Sequence, residues 1–103
     1  MTVEIDITDF LVGTLRDFGK QIEKVDSAVA DVKDYVTYAR AVEDFSFFVG
    51  MLNRFDTMWI YIKEDESNPY YEVFRDIEDQ WSRYKEDTEK LLTLYGGKYW
   101  KKS

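Results

Sequence analysis

The sequence predicts an all-α fold: an antiparallel three-helix bundle with coiled-coil-like heptad packing, helices at about 9–40, 44–63 and 69–95, and a short extended N-terminal segment. Three observations carry this prediction. The first is a seam of Leu11, Leu15, Phe18, Ile22, Val25, Val29, Val32, Val36 and Ala39, spaced alternately 4 and 3. A straight helix repeats every 3.6 residues, so a sustained seven-residue repeat draws a narrow stripe that favours packing against another helix. The second is that two further segments repeat the same spacing. The third is a pair of breaks, at Lys63 to Pro69 and at Gly96-Gly97.

Each element follows in order. Val3, Ile5 and Ile7 alternate with Glu4, Asp6 and Thr8, which is strand periodicity. A lone short strand has no partner here, so residues 1–8 read as an extended segment laid on the bundle. Thr8 suits the N-cap of helix 1, with Asp9 favourable to the dipole. The seam then continues to Ala39, after which Glu43 and Ser46 fall on its next positions. The apolar phase restarts on Val42, Phe45, Phe48 and Val49. A turn near 38–44 explains the restart, and so does one long helix shifted by a stammer. The turn is the reading adopted, with Asp44 capping helix 2.

Helix 2 carries Phe45, Phe48, Leu52, Phe55, Trp59 and Ile62 at 3, 4, 3, 4, 3. Phe47, Met51, Met58 and Tyr61 form a second apolar row beside it. A helix apolar over most of its circumference is normally covered on most sides. Asn68 before Pro69 reads as N-cap and N1 of helix 3. Its seam is Phe74, Ile77, Trp81, Tyr84, Thr88, Leu91 and Tyr95. Gly96-Gly97 reads as its C-cap, leaving 96–103 as a basic, aromatic tail with Lys98, Lys101 and Lys102.

The chain has 103 residues, enough for one domain and one modest core. The 17% of aromatic residues enriches that core. There is no cysteine and no histidine. This removes disulfide scaffolds, Ser-His-Asp and Cys-His nucleophiles, ordinary zinc sites and Glu-x-x-His di-iron helices. There is no phosphate-binding glycine loop, and Asp65-Glu66-Ser67-Asn68 lacks the turn glycine and twelfth-position glutamate of an EF-hand. The expectation is a non-enzymatic protein with no cofactor and no metal. Glu43 falls on an extrapolated seam position of helix 1 and reads as a turn residue facing water, while Asp56, among Phe55, Met58 and Trp59, reads as paired with a basic neighbour or rimming the interface.

The net charge is −7, and residues 64–89 alone hold ten acids against Arg75, Arg83 and Lys85. Such a field repels phosphate backbones and anionic membranes and attracts basic protein surfaces. No run is apolar and long enough to span a bilayer, and no signal segment opens the chain. The expected location is the cytoplasm, of a cell or of an infected host.

Two surfaces call for a partner. Phe47, Met51, Met58 and Tyr61 are of the residue types that interfaces enrich. They point to a protein-interaction module that self-associates, as a two-fold homodimer in the simplest case, or docks a protein through helix 2. Glu64, Asp65, Glu66, Glu72, Asp76, Asp79 and Glu86 form an acidic surface. It points to the alternative, a viral or phage-type inhibitor whose carboxylates imitate nucleic acid and occupy a basic groove. Arg83 and Lys90 interrupt that row. In length and helix count the chain is similar to spectrin-type three-helix repeats; the Trp-x-Gly turn of hundred-residue helical-hairpin secretion substrates is missing.

Overall fold

The computed structural model describes residues 7–100, with side chains from residue 9 onward. Val3, Ile5, Lys101 and Lys102, to which the extended segment and the basic tail were assigned, lie outside them. Three helices make up the fold: α1 (Ile7–Ala30), α2 (Tyr35–Ile62) and α3 (Tyr71–Tyr99). Both outer helices pack on α2. The molecule measures 59 × 23 × 19 Å, and its radius of gyration of 16.6 Å exceeds the roughly 13 Å of a compact chain this long.

The central helix begins earlier than the heptad seam implies. The turn lies at 31–34, not 38–44, so helix 1 ends at Ala30 and not near 40. Asp34, not Asp44, is the cap. Its extended backbone (φ −156°) opens a capping box: the Thr37 amide donates to Asp34 Oδ1 at 2.9 Å, and the Asp34 amide donates to Thr37 Oγ1 at 3.1 Å. The Thr37 amide and hydroxyl also hold the Asp34 carboxyl below its ordinary 3.8. The seam hid this turn because α2 restarts the apolar phase almost in register. Val32 is only half-buried in the link, and Val36 faces outward at 64% exposed. Asp44 lies inside α2, where its carbonyl accepts from Gln21 Nε2 at 2.8 Å and so ties α1 to α2.

At the N-terminus, Ile7 and Thr8 are already helical, so Thr8 is not the N-cap and the extended segment does not reach residue 8. Between α2 and α3 the chain folds as consecutive turns. Asp65 Oδ1 accepts the Ser67 amide at 3.0 Å, and Asn68 Oδ1 accepts the Tyr70 amide at 2.9 Å. Asn68 and Pro69 therefore shape the turn before the helix, and Tyr70 occupies the N-cap of α3.

Gly96 and Gly97 do not end α3, which runs to Tyr99 and caps at Trp100. Gly96 serves a close approach. A Cβ there would lie 2.8 Å from the Tyr38 hydroxyl, whereas one at Gly97 would meet nothing within 4 Å. Trp100 then sets its ring edge against Tyr35 and Tyr38, at 5.7 and 6.2 Å. Those aromatic contacts extend the helix past a pair of residues that favour stopping it.

The core is an aromatic column. Along α2 and α3, Tyr38 meets Trp100, Phe48 meets Tyr84, Phe55 meets Trp81 and then Phe74, and Trp59 meets Tyr71. Partners thus run in opposite order along those two helices. Along α1 and α3 they run in the same order: Phe10 with Phe74, Phe18 with Trp81, Asp26 with Tyr84. The Phe18 and Trp81 rings stack with centroids 3.6 Å apart. The expected α2 seam is buried at Phe45, Phe48, Leu52, Phe55 and Ile62. In α3 burial moves from Leu91 to Leu92, and in α1 Leu15 is left 44% exposed. Three helices cover fewer sides of α1 and α3 than of α2, so seam positions on the outer pair reach solvent.

Candidate interaction surface

Phe47, Met51, Arg54, Met58 and Tyr61 recur at 4, 3, 4, 3 on α2, one ridge beside the core seam. The structure divides the four apolar members expected to form an interface. Phe47 is 59% and Tyr61 74% exposed. Met51 and Met58 are half-buried and pack against the core. Met51 also lines a depression between α1 and α2 with Phe10, Phe18, Phe55 and Arg54. The depression continues past Asp17, Lys20, Lys24 and Phe47. Phe47, Met51 and Arg54 are therefore one rim of a trough whose opposite wall is α1, and Met58 and Tyr61 lie beyond it.

The seven acids expected to form a surface are all exposed. Glu64, Asp65 and Glu66 sit in the link before α3, while Glu72, Asp76, Asp79 and Glu86 stand on α3. None of the seven lines the trough beside Phe47. The two surfaces are separate. Between described residues one ion pair forms, Arg75 Nη2 to Asp76 Oδ1 at 3.5 Å, both side chains exposed; it contributes little. The Ser67 hydroxyl and amide hold the Asp65 carboxyl below its ordinary 3.8.

Asp56 departs from the sequence reading. It neither faces water freely nor pairs with a base. Its Oδ1 is enclosed without a hydrogen-bond partner. Burial, then repulsion from Glu78, raises its pKa above 3.8, against the weaker pull of Lys85 and Lys63. Glu78 already accepts the Ser82 hydroxyl at 2.8 Å. Beside Asp56 an open depression brings Asp79, Glu86 and Glu89 near Arg83 and Lys85. Carboxylates outnumber cations in that depression. Glu43 is exposed on α2.

A carboxyl with a raised folded pKa contributes stability that is complete below its unfolded pKa and is lost as pH rises through the folded one. Asp56 therefore opposes folding at neutral pH. Asp56→Asn is expected to raise the thermal midpoint there, since it removes a charge that burial disfavours. The gain should shrink as pH falls toward 3.8 and below. Thermal melts of both proteins across pH decide it; equal midpoints at neutral pH refute the account.

Other groups that sequence periodicity could not reveal need two helices in register. The Tyr84 hydroxyl donates to Asp26 Oδ1 at 2.7 Å, and burial together with that carboxylate raises the phenol's pKa. Gln21 is buried through its bond to Asp44. Among the described residues, no three His, Cys, Asp or Glu side chains converge as metal ligands. Among them, too, no helix is long and apolar enough to cross a membrane. Compared with protein-family models, with curated proteins and with solved structures, the chain matches none.

Proposed function

We propose that this chain is a non-enzymatic protein-interaction module that docks a protein along the outer flank of α2. One observation carries the reading: Phe47 and Tyr61, large aromatics on one helical ridge, are mostly exposed although the bundle has a full aromatic core. Isolated exposed apolar residues are ordinary on soluble proteins. Two aromatics on a ridge whose intervening methionines remain half-open form a more continuous strip, of the composition that interfaces favour. A second copy, paired symmetrically through the exposed aromatics, is one such partner.

The acidic surface supports a second reading, an inhibitor that occupies a basic groove. What favours it is placement: all seven acids are exposed, and those in the link and first turns of α3 gather at one end of a 59 Å rod.

One experiment separates the two. The native chain, Phe47→Asp/Tyr61→Asp and Glu72→Lys/Asp76→Lys/Asp79→Lys are used as baits, and their masses in solution are measured by light scattering. The first reading expects partner capture or self-association to vanish in the aromatic variant and persist in the charge-reversed one. Loss in the charge-reversed variant alone transfers the function to the acidic end. A native chain that stays monomeric and retains nothing refutes both.

A further inference from the structure

The middle of the trough between α1 and α2 carries a local excess of positive charge. Around Phe47 and Met51 it is lined by Lys20, Lys24 and Arg54, with Asp17 the single carboxylate there. None of the three cations forms an ion pair with a described residue; that between Arg75 and Asp76 lies elsewhere. The chain as a whole carries −7, and residues 64–89 account for a local charge of the same size. The trough is thus a positive strip on an acidic molecule. Lys20 and Lys24 also line the adjoining depression, where with Arg40 they balance Glu23, Asp31 and Asp44. The positive excess is therefore confined to the middle section, at Phe47.

The shape of the strip is helical. On α1 the lining runs from Phe10 to Lys24, about 21 Å of helix, and on α2 it is supplied by Phe47, Met51, Arg54 and Phe55, while Met58 and Tyr61 lie outside it. We infer that the trough seats an amphipathic helix of another protein, its apolar row on Phe47 and Met51 and its flanking carboxylates against Lys20, Lys24 and Arg54. This rests on the docking reading of α2 and adds the partner's chemistry. In helix-in-groove recognition the docked helix supplies the apolar anchors, at i, i+3, i+4 and i+7. A second copy suits the trough less well. A two-fold axis through it places the same three cations opposite themselves, and like charges across an interface are unfavourable.

The test selects helical peptides from a randomised display library against the full-length chain and measures the affinity of the winners by fluorescence anisotropy at increasing salt. Winners should carry an apolar row flanked by Asp or Glu. Their binding should weaken with salt, and about tenfold in Lys20→Glu/Lys24→Glu and in Phe47→Ala. The substituted side chains are exposed, and circular dichroism checks that each variant stays helical. Neutral or basic winners that need Phe47 but ignore the lysines overturn the acidic partner and leave α2 docking standing. Winners indifferent to Phe47 as well, or no winners at all, overturn both. A mass that rises with concentration, and rises further when the lysines are reversed, assigns the trough to a second copy and overturns the inference.

Discussion

Phe55→Ala is expected to cost about 4 kcal/mol, the upper range for removing an enclosed aromatic. Phe55 is almost fully buried and is the ring where all three helices meet. It stacks on Phe74 with centroids 5.0 Å apart, and its edge contacts fall on Trp81 at 5.4 Å and Phe18 at 6.3 Å. Truncation opens a void that neither outer helix can fill, because each is anchored by its other rings. A domain of this size has total stability of roughly 5–15 kcal/mol, so the loss is a large fraction. Chemical denaturation measures it. A midpoint close to that of the native chain, with the slope unchanged, means the column repacks and the account of the core is wrong. Ile60→Ala, at a half-exposed position on the same helix, is the comparison that should cost little.

Gly96→Val and Gly97→Val are expected to differ by about 2 kcal/mol, with Gly96→Val the less stable. The two residues are adjacent in one helix, so propensity cancels between them. What differs is Tyr38, whose hydroxyl stands 2.8 Å from a Cβ at position 96. Tyr38 is buried and has Trp100 against its edge, so it cannot swing away without exposing that contact. Gly97 points into open space. Tyr38→Phe removes the hydroxyl and leaves Cζ at an ordinary 3.5 Å. In that background Gly96→Ala should become stabilising by roughly 1 kcal/mol, the usual gain of alanine over glycine inside a helix. Thermal midpoints decide it, since 1 kcal/mol moves a domain of about 100 residues by roughly 4–8 °C. If Gly96→Ala and Gly97→Ala melt together in the native background, the glycine is not there for Tyr38.

The heptad seams on α2 and α3 were legible because burial in a bundle imposes a period on the chain. Phe45, Phe48, Leu52, Phe55, Ile62, Phe74, Ile77 and Trp81 of the expected seams are buried, while Trp59, Tyr84, Leu91 and Tyr95 stay half-buried. The turn at 31–34 was not legible from periodicity, because Val32 and Val36 keep the apolar phase through it. Its signal was local: an Asp and a Thr three residues apart, whose mutual hydrogen bonds compete with helix continuation. The glycine pair was misleading for the opposite reason. Its local preference to stop yields to the aromatic contacts of Trp100. Of the expected interface, the ridge itself was visible in sequence. That two of its members share themselves with the core, and that Lys20 and Lys24 face the ridge from α1, depends on how α1 registers against α2.

Sequence by itself determined the class of fold, the number of helices, most of the residues they bury and the concentration of negative charge in residues 64–89. These are properties of one segment at a time, set by periodicity and composition. Tertiary structure decided where the first helix ends, why Gly96 is a glycine, that Asp56 encloses an oxygen with no partner, and that cations gather beside Phe47. Each of these requires atoms distant in the chain to meet, and no one-dimensional pattern records the offset between two helices.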